Sequence, residues 1–304
     1  MKIVPETKEE LKALCDNESI HLGNIDTSKI TDMSELFLKS NRADFSGIEN
    51  WDVSNVENMM AMFYGAEFFN QDISSWDVSN VKNMEGMFNK AKAFNQPIGS
   101  WDVSNVENMY EMFNNAEVFN QPLDKWNVSK VKNMSAMFYC AEAFNQPIGD
   151  WNVSNVENMS LMFYDAKSFN QPIGDWVVSN VKYMQFMFKH AESFNQPIES
   201  WDVSNVKHMQ GMFIDALSFN QPIESWDVSN VENMYAMFNN AESFNQILPE
   251  SWAKKVDYKN PEPLKLDELC SSMVALFDKA GVQREDLKKA FNAALQNSKK
   301  NVLT

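Results

Sequence analysis

The sequence predicts an α/β solenoid in which every 25-residue repeat adds one short strand and one short helix, with a helical cap at both ends. The motif Trp-x-Val-Ser-x-Val-x-x-Met-x-x-Met-Phe recurs eight times in succession at a period of 25 residues. A unit of this length cannot bury its own apolar face, so neighbouring units must stack and share one core. The motif tryptophans keep one register throughout, at Trp51, Trp76, Trp101, Trp126, Trp151, Trp176, Trp201 and Trp226.

The later half of each repeat has the residue spacing of a helix. In the copy that begins at Trp101, Ser104 takes the position of an N-cap, and Glu107 three residues later completes a capping box. We therefore expect a helix of about three turns in each repeat. Its buried face is predicted from apolar residues at intervals of three and four, which in this copy are Val106, Met109, Met112, Phe113 and Ala116.

The earlier half of each repeat is predicted to contain a very short strand. Trp101 and Val103 alternate with polar residues, as the two faces of a strand require. Pro97 precedes them and marks the entrance of the strand, because proline has no N–H to donate to a ladder. The combination Ile-x-x-Trp-x-Val-x-Asn approaches the leucine-rich-repeat pattern, whose repeats have about 20 to 29 residues, with Trp in place of Leu and the Asn one position early.

A longer motif carries a family resemblance. The phrase Met-Phe-x-x-Ala-x-x-Phe-Asn-Gln-Pro-Ile-x-x-Trp-Asp-Val-Ser-Asn-Val resembles the BspA-like bacterial surface-protein repeat, also known as the mycoplasma-lipoprotein-type repeat. The resemblance extends from about Ile25 to Trp252. It implies a leucine-rich-repeat-like solenoid that serves in adhesion or partner contact, often on a bacterial surface.

The sequence as given does not itself predict surface display. From Met1 to Glu6 the chain becomes charged at once, and it lacks both the apolar stretch of about seven residues that an export signal needs and a lipobox cysteine. We therefore expect a cytoplasmic chain without membrane insertion, although the family is often found at the surface.

Three segments are predicted along the chain. Residues 1–24 form an N-terminal helical cap, in which Thr7 caps a helix that continues to Asp16. Residues 25–252 form the repeat solenoid, a degenerate first repeat followed by eight regular ones. Residues 253–304 form a C-terminal helical hairpin, since two helical apolar stripes are separated by Gly281.

The charge balance limits the classes of partner. The chain has 26 basic and 42 acidic residues, a net charge of -16, which opposes both a nucleic-acid backbone and an anionic lipid surface. Three scattered cysteines do not form a disulfide framework, so they are expected to be free thiols. We therefore expect neither nucleic acid nor membrane as a partner.

One repeat position brings together residue types that could support catalysis. Cys140, Asp165, His190 and Asp215 occupy it in four successive repeats. Cys140 and His190 lie two repeats apart, which is too far for proton transfer between stacked units. No phosphate loop or metal-spaced cluster occurs elsewhere. We therefore predict no enzyme activity, no cofactor and no metal.

Other polar positions are predicted to be structural. The Asn-Gln pairs at each turn, such as Asn95-Gln96, are expected to satisfy the backbone of the next repeat. The Asp column that includes Asp102 is expected to form Asx-turns. At a further repeat position the side-chain charge alternates in sign, and these side chains are expected to form ion pairs between neighbouring repeats. They are Glu57, Lys82, Glu107, Lys132, Glu157, Lys182, Lys207 and Glu232.

Positions that vary between the repeats are where a partner can be recognised. On each predicted helix, the residue after the first methionine and the residue four further on would share an exposed face. Tyrosine and methionine are enriched at protein interfaces. The residues predicted to contact a partner on this face are Met60, Tyr64, Tyr110, Tyr139, Tyr164, Ile214 and Tyr235.

Two functions follow from these features. The first is a non-enzymatic scaffold for protein–protein interaction, with adhesion or host-partner binding through the variable positions. The second is a structural or self-assembling repeat protein whose stack extends end to end. The predicted caps count against the second function, because sealed ends prevent polymerisation.

Overall fold

The computed structural model describes residues 2–249 and Trp252. The N-terminal helix α1 spans Lys8–Asp16, and the Thr7 hydroxyl accepts a hydrogen bond from the Glu10 N–H at its start. Two short 3₁₀ helices follow, at Leu22–Asn24 and Ile48–Asn50. The predicted C-terminal hairpin at 253–304 lies outside the described residues.

The repeats stack through parallel backbone pairing. Isolated parallel bridges join Asp32 to Asn58, Asn58 to Asn83, and the equivalent positions onward to the bridge between His208 and Asn233. Around each bridge lies a paired stretch of eight residues, which we call a rung. The nine rungs within the described residues are 32–39, 58–65, 83–90, 108–115, 133–140, 158–165, 183–190, 208–215 and 233–240. The expected repeat solenoid is therefore observed.

Hydrogen bonds within and between rungs alternate along the backbone. In rung 83–90, the N–H groups of Met84, Gly86, Phe88 and Lys90 donate to carbonyls of the next rung at 2.7 to 3.1 Å. The intervening N–H groups instead close local turns, as in the 3.2 Å bond from Met87 to the Met84 carbonyl. Every second donor is thus used between repeats, and the others shape the turn within a repeat.

The predicted helix and strand within each repeat are both wrong. The segment expected to be helical folds as consecutive turns and carries the parallel pairing, as seen from Asn108 to Asn115. The segment expected to be a strand, from Trp101 to Val103, is irregular and has no ladder. Among the described residues, α1 is the only α-helix.

Backbone conformation explains why no helix forms. Each rung contains two residues with positive φ, four positions apart, with values between +52° and +69°. In rung 83–90 these are Gly86 and Lys90, each the third residue of a four-residue turn, where a type II turn has positive φ. An α-helix needs negative φ throughout, so these two residues interrupt it. Successive turns nevertheless place side chains three and four residues apart on one side, which reproduces the helical spacing of the sequence.

Three aromatic columns fill the core. The phenylalanines equivalent to Phe113 stack on one another with ring centroids 5.5 to 5.7 Å apart. Those equivalent to Phe119 stack at 5.6 to 6.2 Å. The tryptophan column is also buried, and each indole N–H donates to a carbonyl of the preceding repeat, as Trp126 does to Ile98 at 3.0 Å. Each repeat therefore shares its core with both neighbours.

Side-chain amides and carboxylates satisfy the backbone at the turns. The Asn95 Oδ1 accepts from the Asn120 N–H at 3.0 Å and from the Gln121 side chain at 3.1 Å. The Asp102 Oδ1 accepts from the Ser104 N–H at 3.0 Å, which closes an Asx-turn. The structural roles predicted for both columns are confirmed.

The column of alternating charge pairs neighbouring repeats. Lys82 contacts Glu57 at 2.7 Å, Lys132 contacts Glu107 at 3.0 Å, Lys182 contacts Glu157 at 2.6 Å and Lys207 contacts Glu232 at 3.7 Å. All are exposed, so water and salt screen them and each pair adds little to stability. Their use is to favour one register among near-identical repeats.

Helix α1 packs against the first rung. Leu11 and Cys15 are buried in the same core as the repeats. Lys8 contacts both Ser34 and Asp32 of rung 32–39. Across residues 2–249, no helix is both long and apolar enough to span a membrane.

Candidate functional site

The residues predicted to bind a partner lie on one side of the stack, formed by residues 60–65 and their equivalents in every rung. We call this side the turn face. Because both its positive-φ positions and its hydrogen bonds repeat every 25 residues, equivalent side chains form columns along it. The turn face is held by the backbone of neighbouring rungs, so its side chains stand on a rigid support.

Burial on the turn face differs from the prediction of exposed helix positions. Tyr110 is buried at 5% exposure, so it offers no free surface. Gln185 and Gln210, which belong to the same variable positions, are also buried. Six of the seven predicted contact residues are half-buried: Met60, Tyr64, Tyr139, Tyr164, Ile214 and Tyr235.

The structure brings Tyr139 and Tyr164 into direct contact. Their rings stack with centroids 4.5 Å apart and planes 15° from parallel. The Lys189 ammonium lies 5.1 Å from the Tyr164 ring centroid and 5.7 Å from that of Phe186. Such cation–π contacts join the two tyrosines to a third aromatic ring in the next rung.

Ile214 extends this group by one more rung. Gly211 separates Ile214 from Phe186, and a Cβ atom at Gly211 would meet Phe186 Cε1 at 2.4 Å and Ile214 Cδ1 at 2.7 Å. Both side chains therefore fold over the glycine and lie close together. We call the continuous group Tyr139, Tyr164, Phe186, Lys189 and Ile214 the aromatic strip.

Phe186 belongs to the strip but was missed by the sequence reasoning. It follows the position that was read as variable, and it has a φ of +57°. A signal was present, since a phenylalanine is unusual in a column otherwise made of small, acidic or aliphatic residues: Glu35, Ala61, Gly86, Glu111, Ala136, Leu161, Gly211 and Ala236. Met60, Tyr64 and Tyr235 lie on the turn face outside the strip.

Cys140, Asp165, His190 and Asp215 share one repeat position, which we call the Cys140 column, and they lie beside the strip. Their side chains form two pairs. Cys140 Sγ contacts Asp165 Oδ2 at 3.6 Å, and His190 Nδ1 lies 3.3 Å from Asp215 Oδ2. Burial and the neighbouring Asp165 carboxylate raise the pKa of the Cys140 thiol to about 12. Burial and Lys189 lower the pKa of His190. A protonated thiol is a poor nucleophile, so this arrangement does not activate Cys140.

The described residues contain no group of three metal-ligating side chains.

The positive-φ conformation of the Cys140 column explains which residue types occur in it better than a catalytic role does. Asparagine, aspartate, histidine and glycine are the residues that tolerate this conformation best. They occupy six of its positions: Gly65, Asn115, Asp165, His190, Asp215 and Asn240.

A carboxylate is held under the turn face beside Tyr110. The Glu111 side chain accepts hydrogen bonds from the Tyr110 hydroxyl at 2.6 Å and from the Asn89 amide at 2.7 Å. Burial raises the pKa of Glu111 despite the hydrogen bond from Tyr110, and the nearby Glu85 charge raises it further. The ionised form of Glu111 therefore opposes folding relative to its neutral form.

Replacing Glu111 with glutamine is expected to make stability less dependent on pH. Folding raises the pKa of Glu111, so the neutral form of this side chain stabilises the folded state. This stabilisation is fully present below the unfolded pKa of 4.5 and is lost as the pH rises through the folded pKa. The Tm of Glu111→Gln relative to the parent should therefore increase between about pH 4 and pH 7. Glu107→Gln is the control, because Lys132 lowers the pKa of Glu107 and its trend should be opposite. Parallel Tm curves for Glu111→Gln and the parent would contradict the shift.

Comparisons with known proteins concern the repeats. The family described as Mycoplasma protein of unknown function, DUF285, matches residues 9–123, 95–196 and 173–260. No curated protein matches the chain. A crystal structure of a TLR13–ssRNA13 complex is 8% identical, with 76% of this chain and 40% of that chain covered and a TM-score of 0.25. A leucine-rich-repeat protein of Leptospira interrogans is 6% identical, with 77% and 94% covered and a TM-score of 0.12.

Proposed function

We propose that this chain, which belongs to the family described as Mycoplasma protein of unknown function, DUF285, is a non-enzymatic scaffold that binds a protein partner through the aromatic strip. The observation that carries the proposal is the continuity of the strip across four rungs. Tyr139, Tyr164, Phe186 and Ile214 come from four repeats and form one half-buried surface. Adhesion to a host or bacterial partner is the form of binding that the sequence resemblance favours.

The chemistry of the strip suits recognition of a protein. Tyrosine rings combine a large apolar area with a hydroxyl group, and they dominate the energy of many protein interfaces. Stacking and cation–π contacts fix the rings of Tyr139 and Tyr164, so little side-chain freedom is left to lose on binding. A partner would thus meet a surface already arranged for contact.

The repeat architecture supports binding over chemistry. Burial and the Asp165 carboxylate raise the pKa of the Cys140 thiol, so this environment opposes formation of the nucleophilic thiolate. The side chains beside it, Asp165 and His190, are engaged with neighbouring rungs and with Tyr164. These contacts fit a scaffold surface whose residues hold one another in place.

Self-assembly remains the alternative function, and α1 counts against it at the N-terminal end. End-to-end stacking requires that the backbone edge of the first rung meets another copy. Helix α1 instead packs against rung 32–39, with Lys8 contacting Ser34 and Leu11 buried in the core. Light scattering over a range of protein concentrations separates the two functions, because only self-assembly raises the mass with concentration.

Replacing Tyr139, Tyr164 and Ile214 together with asparagine is expected to weaken partner capture at least about tenfold, roughly 1.4 kcal/mol. Asparagine already occupies this column at Asn89, Asn114 and Asn239, so far-UV CD and Tm should stay close to the parent. The measurement is quantitative affinity capture from host and bacterial lysates, with parent and variant chains compared side by side.

The control is the pair Met60→Asn and Tyr235→Asn, which removes apolar side chains from the same turn face outside the strip. The proposal requires that at least one protein is captured by both the parent and the control but is not captured by the strip variant. Equal capture by the strip variant and the parent, with both chains folded, would rule out the aromatic strip as the binding surface.

A further inference from the structure

A second, separate feature of the turn face lies at its N-terminal end. Lys39, Gly65 and Lys90 occupy equivalent positions in the first three rungs, joined through backbone hydrogen bonds between neighbouring rungs. A cleft of about 380 Å³ opens there, lined by Lys39, Tyr64, Phe68 and Lys90 among others. Since Gly65 has no side chain, the stem of Lys39 lies against it, and a Cβ atom at Gly65 would meet Lys39 Cγ at 3.2 Å.

Phe68 is the exposed apolar wall of this cleft. Its side chain is 65% exposed, whereas most phenylalanines of the described chain are buried in the core. The equivalent positions in the other repeats are smaller: Ala93, Val118, Ala143, Ser168, Ser193, Ser218 and Ser243. Phe68 therefore places a larger apolar surface beside the two lysines than any other described repeat has at this position.

The two lysines place positive charge at the cleft without a close ion pair, although the Lys90 charge also acts on the Glu111 carboxylate, where it opposes the rise in pKa that burial causes. Lys82 and Lys92 each lie within 4.0 Å of a carboxylate, but neither Lys39 nor Lys90 does so among the described residues. Lys90 instead lies 5.6 Å from the Tyr64 ring centroid. In a chain of net charge -16, the two lysines give the cleft a local positive charge.

One acidic residue also lines the cleft. Glu67 lies next to Phe68, but its carboxylate is shared with Lys92 at 3.8 Å. The cleft thus keeps a positive side formed by Lys39 and Lys90 and an apolar side formed by Phe68 and Tyr64. A ligand that fits both sides has a negative group next to a large apolar group.

We propose that this cleft binds an acidic peptide segment in which an aspartate or glutamate lies next to a large apolar side chain. The carboxylate pairs with Lys39 and Lys90, and the apolar side chain packs against Phe68 and Tyr64. A nucleic acid is disfavoured, because its phosphates would meet a chain of net charge -16 beyond these two lysines. The cleft is distinct from the aromatic strip and shares none of its residues.

The test uses the full chain and fluorescein-labelled peptides of the sequence Gly-Ser-Asp-Phe-Ser-Gly, measured by fluorescence anisotropy at low and high salt. Matched peptides replace Asp with Asn or Phe with Ala. The Asp-Phe peptide should bind in a saturable way, and each changed peptide should bind about threefold or more weakly. Binding of the Asp-Phe peptide should weaken as salt is added.

Variants of the cleft assign the binding to its residues. Lys39→Gln with Lys90→Gln should weaken the Asp-Phe peptide about tenfold, whereas Lys125→Gln, at an exposed lysine outside the cleft, should not. Phe68→Ser should weaken it more than Val118→Ser, which removes an exposed apolar side chain from the same repeat position. A single-stranded oligonucleotide serves as the competing ligand class.

Several results would overturn the proposal. These are no saturable binding of the Asp-Phe peptide up to about 1 mM, equal binding of the Asp and Asn peptides, or tighter binding of the oligonucleotide. Equal effects of Phe68→Ser and Val118→Ser would also overturn it. The aromatic-strip variant should bind the Asp-Phe peptide as the parent does, which keeps this test separate from that of the proposed scaffold function.

Discussion

Replacing Trp151 with alanine is expected to lower the free energy of unfolding by about 3 to 5 kcal/mol. The Trp151 ring is 3% exposed, stacks on Trp126 at 6.4 Å and lies 6.4 Å from the Phe138 ring. Both rings belong to the preceding repeat and are themselves fixed in stacked columns, so they cannot collapse fully into the space that alanine leaves. Most of the loss is therefore the lost burial of the ring and the cavity behind it.

The indole N–H adds a polar part that a second variant isolates. Trp151 Nε1 donates to the Leu123 carbonyl at 2.9 Å, and this carbonyl is buried. Trp151→Phe keeps an aromatic ring but removes one of the two hydrogen bonds that the Leu123 oxygen accepts, because the Trp126 N–H still donates to it at 3.1 Å. The loss of this one bond costs about 0.5 to 1.5 kcal/mol. Urea unfolding should thus rank parent above Trp151→Phe above Trp151→Ala. A change below about 1 kcal/mol for Trp151→Ala would show that the tryptophan column does not support the core.

The sequence period was sufficient to predict what repeats between units. A fixed register of tryptophans, phenylalanines and Asn-Gln pairs can satisfy packing and hydrogen bonding only if equivalent residues stack. The stacked Phe88 and Phe113 rings and the amide ladder at Asn95 confirm that expectation. The predicted resemblance to a mycoplasma-type repeat is also confirmed, because the match to the Mycoplasma family spans residues 9–260 in three overlapping parts. A relation to BspA-like surface proteins stays a prediction.

The sequence was not sufficient to predict the conformation within a unit. Apolar residues three and four apart, such as Met109, Met112 and Phe113, fit a helix and a run of tight turns equally well. The residues that decide between them are those with positive φ, and only some are glycine. Gly86 and Gly211 occupy one of the two positive-φ columns, so two glycines at one repeat position were the available sign of a turn.

The candidate site was predictable only in part for a related reason. Tyr139 and Tyr164 were identified as partner residues, and the structure stacks them. Tyr110 was identified by the same rule but is buried, because the run of turns encloses this repeat position where a helix would expose it. The residues also buried at this position are Ser135, Ser160, Gln185 and Gln210. Phe186 entered the strip only through its positive φ, which directs its ring over the glycine of the next rung.

Replacing Gly211 with alanine is expected to lower the free energy of unfolding by about 2 to 4 kcal/mol. A Cβ atom in the positive-φ conformation costs about 1 to 2 kcal/mol, and Gly211 has a φ of +59°. The new methyl group would also lie 2.4 Å from Phe186 Cε1 and 2.7 Å from Ile214 Cδ1, and such overpacking costs about 1 to 3 kcal/mol. Because Phe186 and Ile214 must move apart, the same change should also weaken partner capture by the strip.

Gly86→Ala is the matched control for the backbone part of this loss. Gly86 has a φ of +56°, and the nearest atom to a Cβ there is 3.8 Å away, so only the conformational cost of about 1 to 2 kcal/mol applies. Urea unfolding of both variants measures the difference. Adding Phe186→Ala to Gly211→Ala should remove the contact with the ring and leave only the contact with Ile214 Cδ1, which is the far end of a flexible side chain. The loss caused by Gly211→Ala should therefore fall towards that of Gly86→Ala when each is measured in its own background. Equal losses for Gly211→Ala with and without the Phe186 ring would show that this ring does not lie over the glycine, and the strip would then end at Lys189.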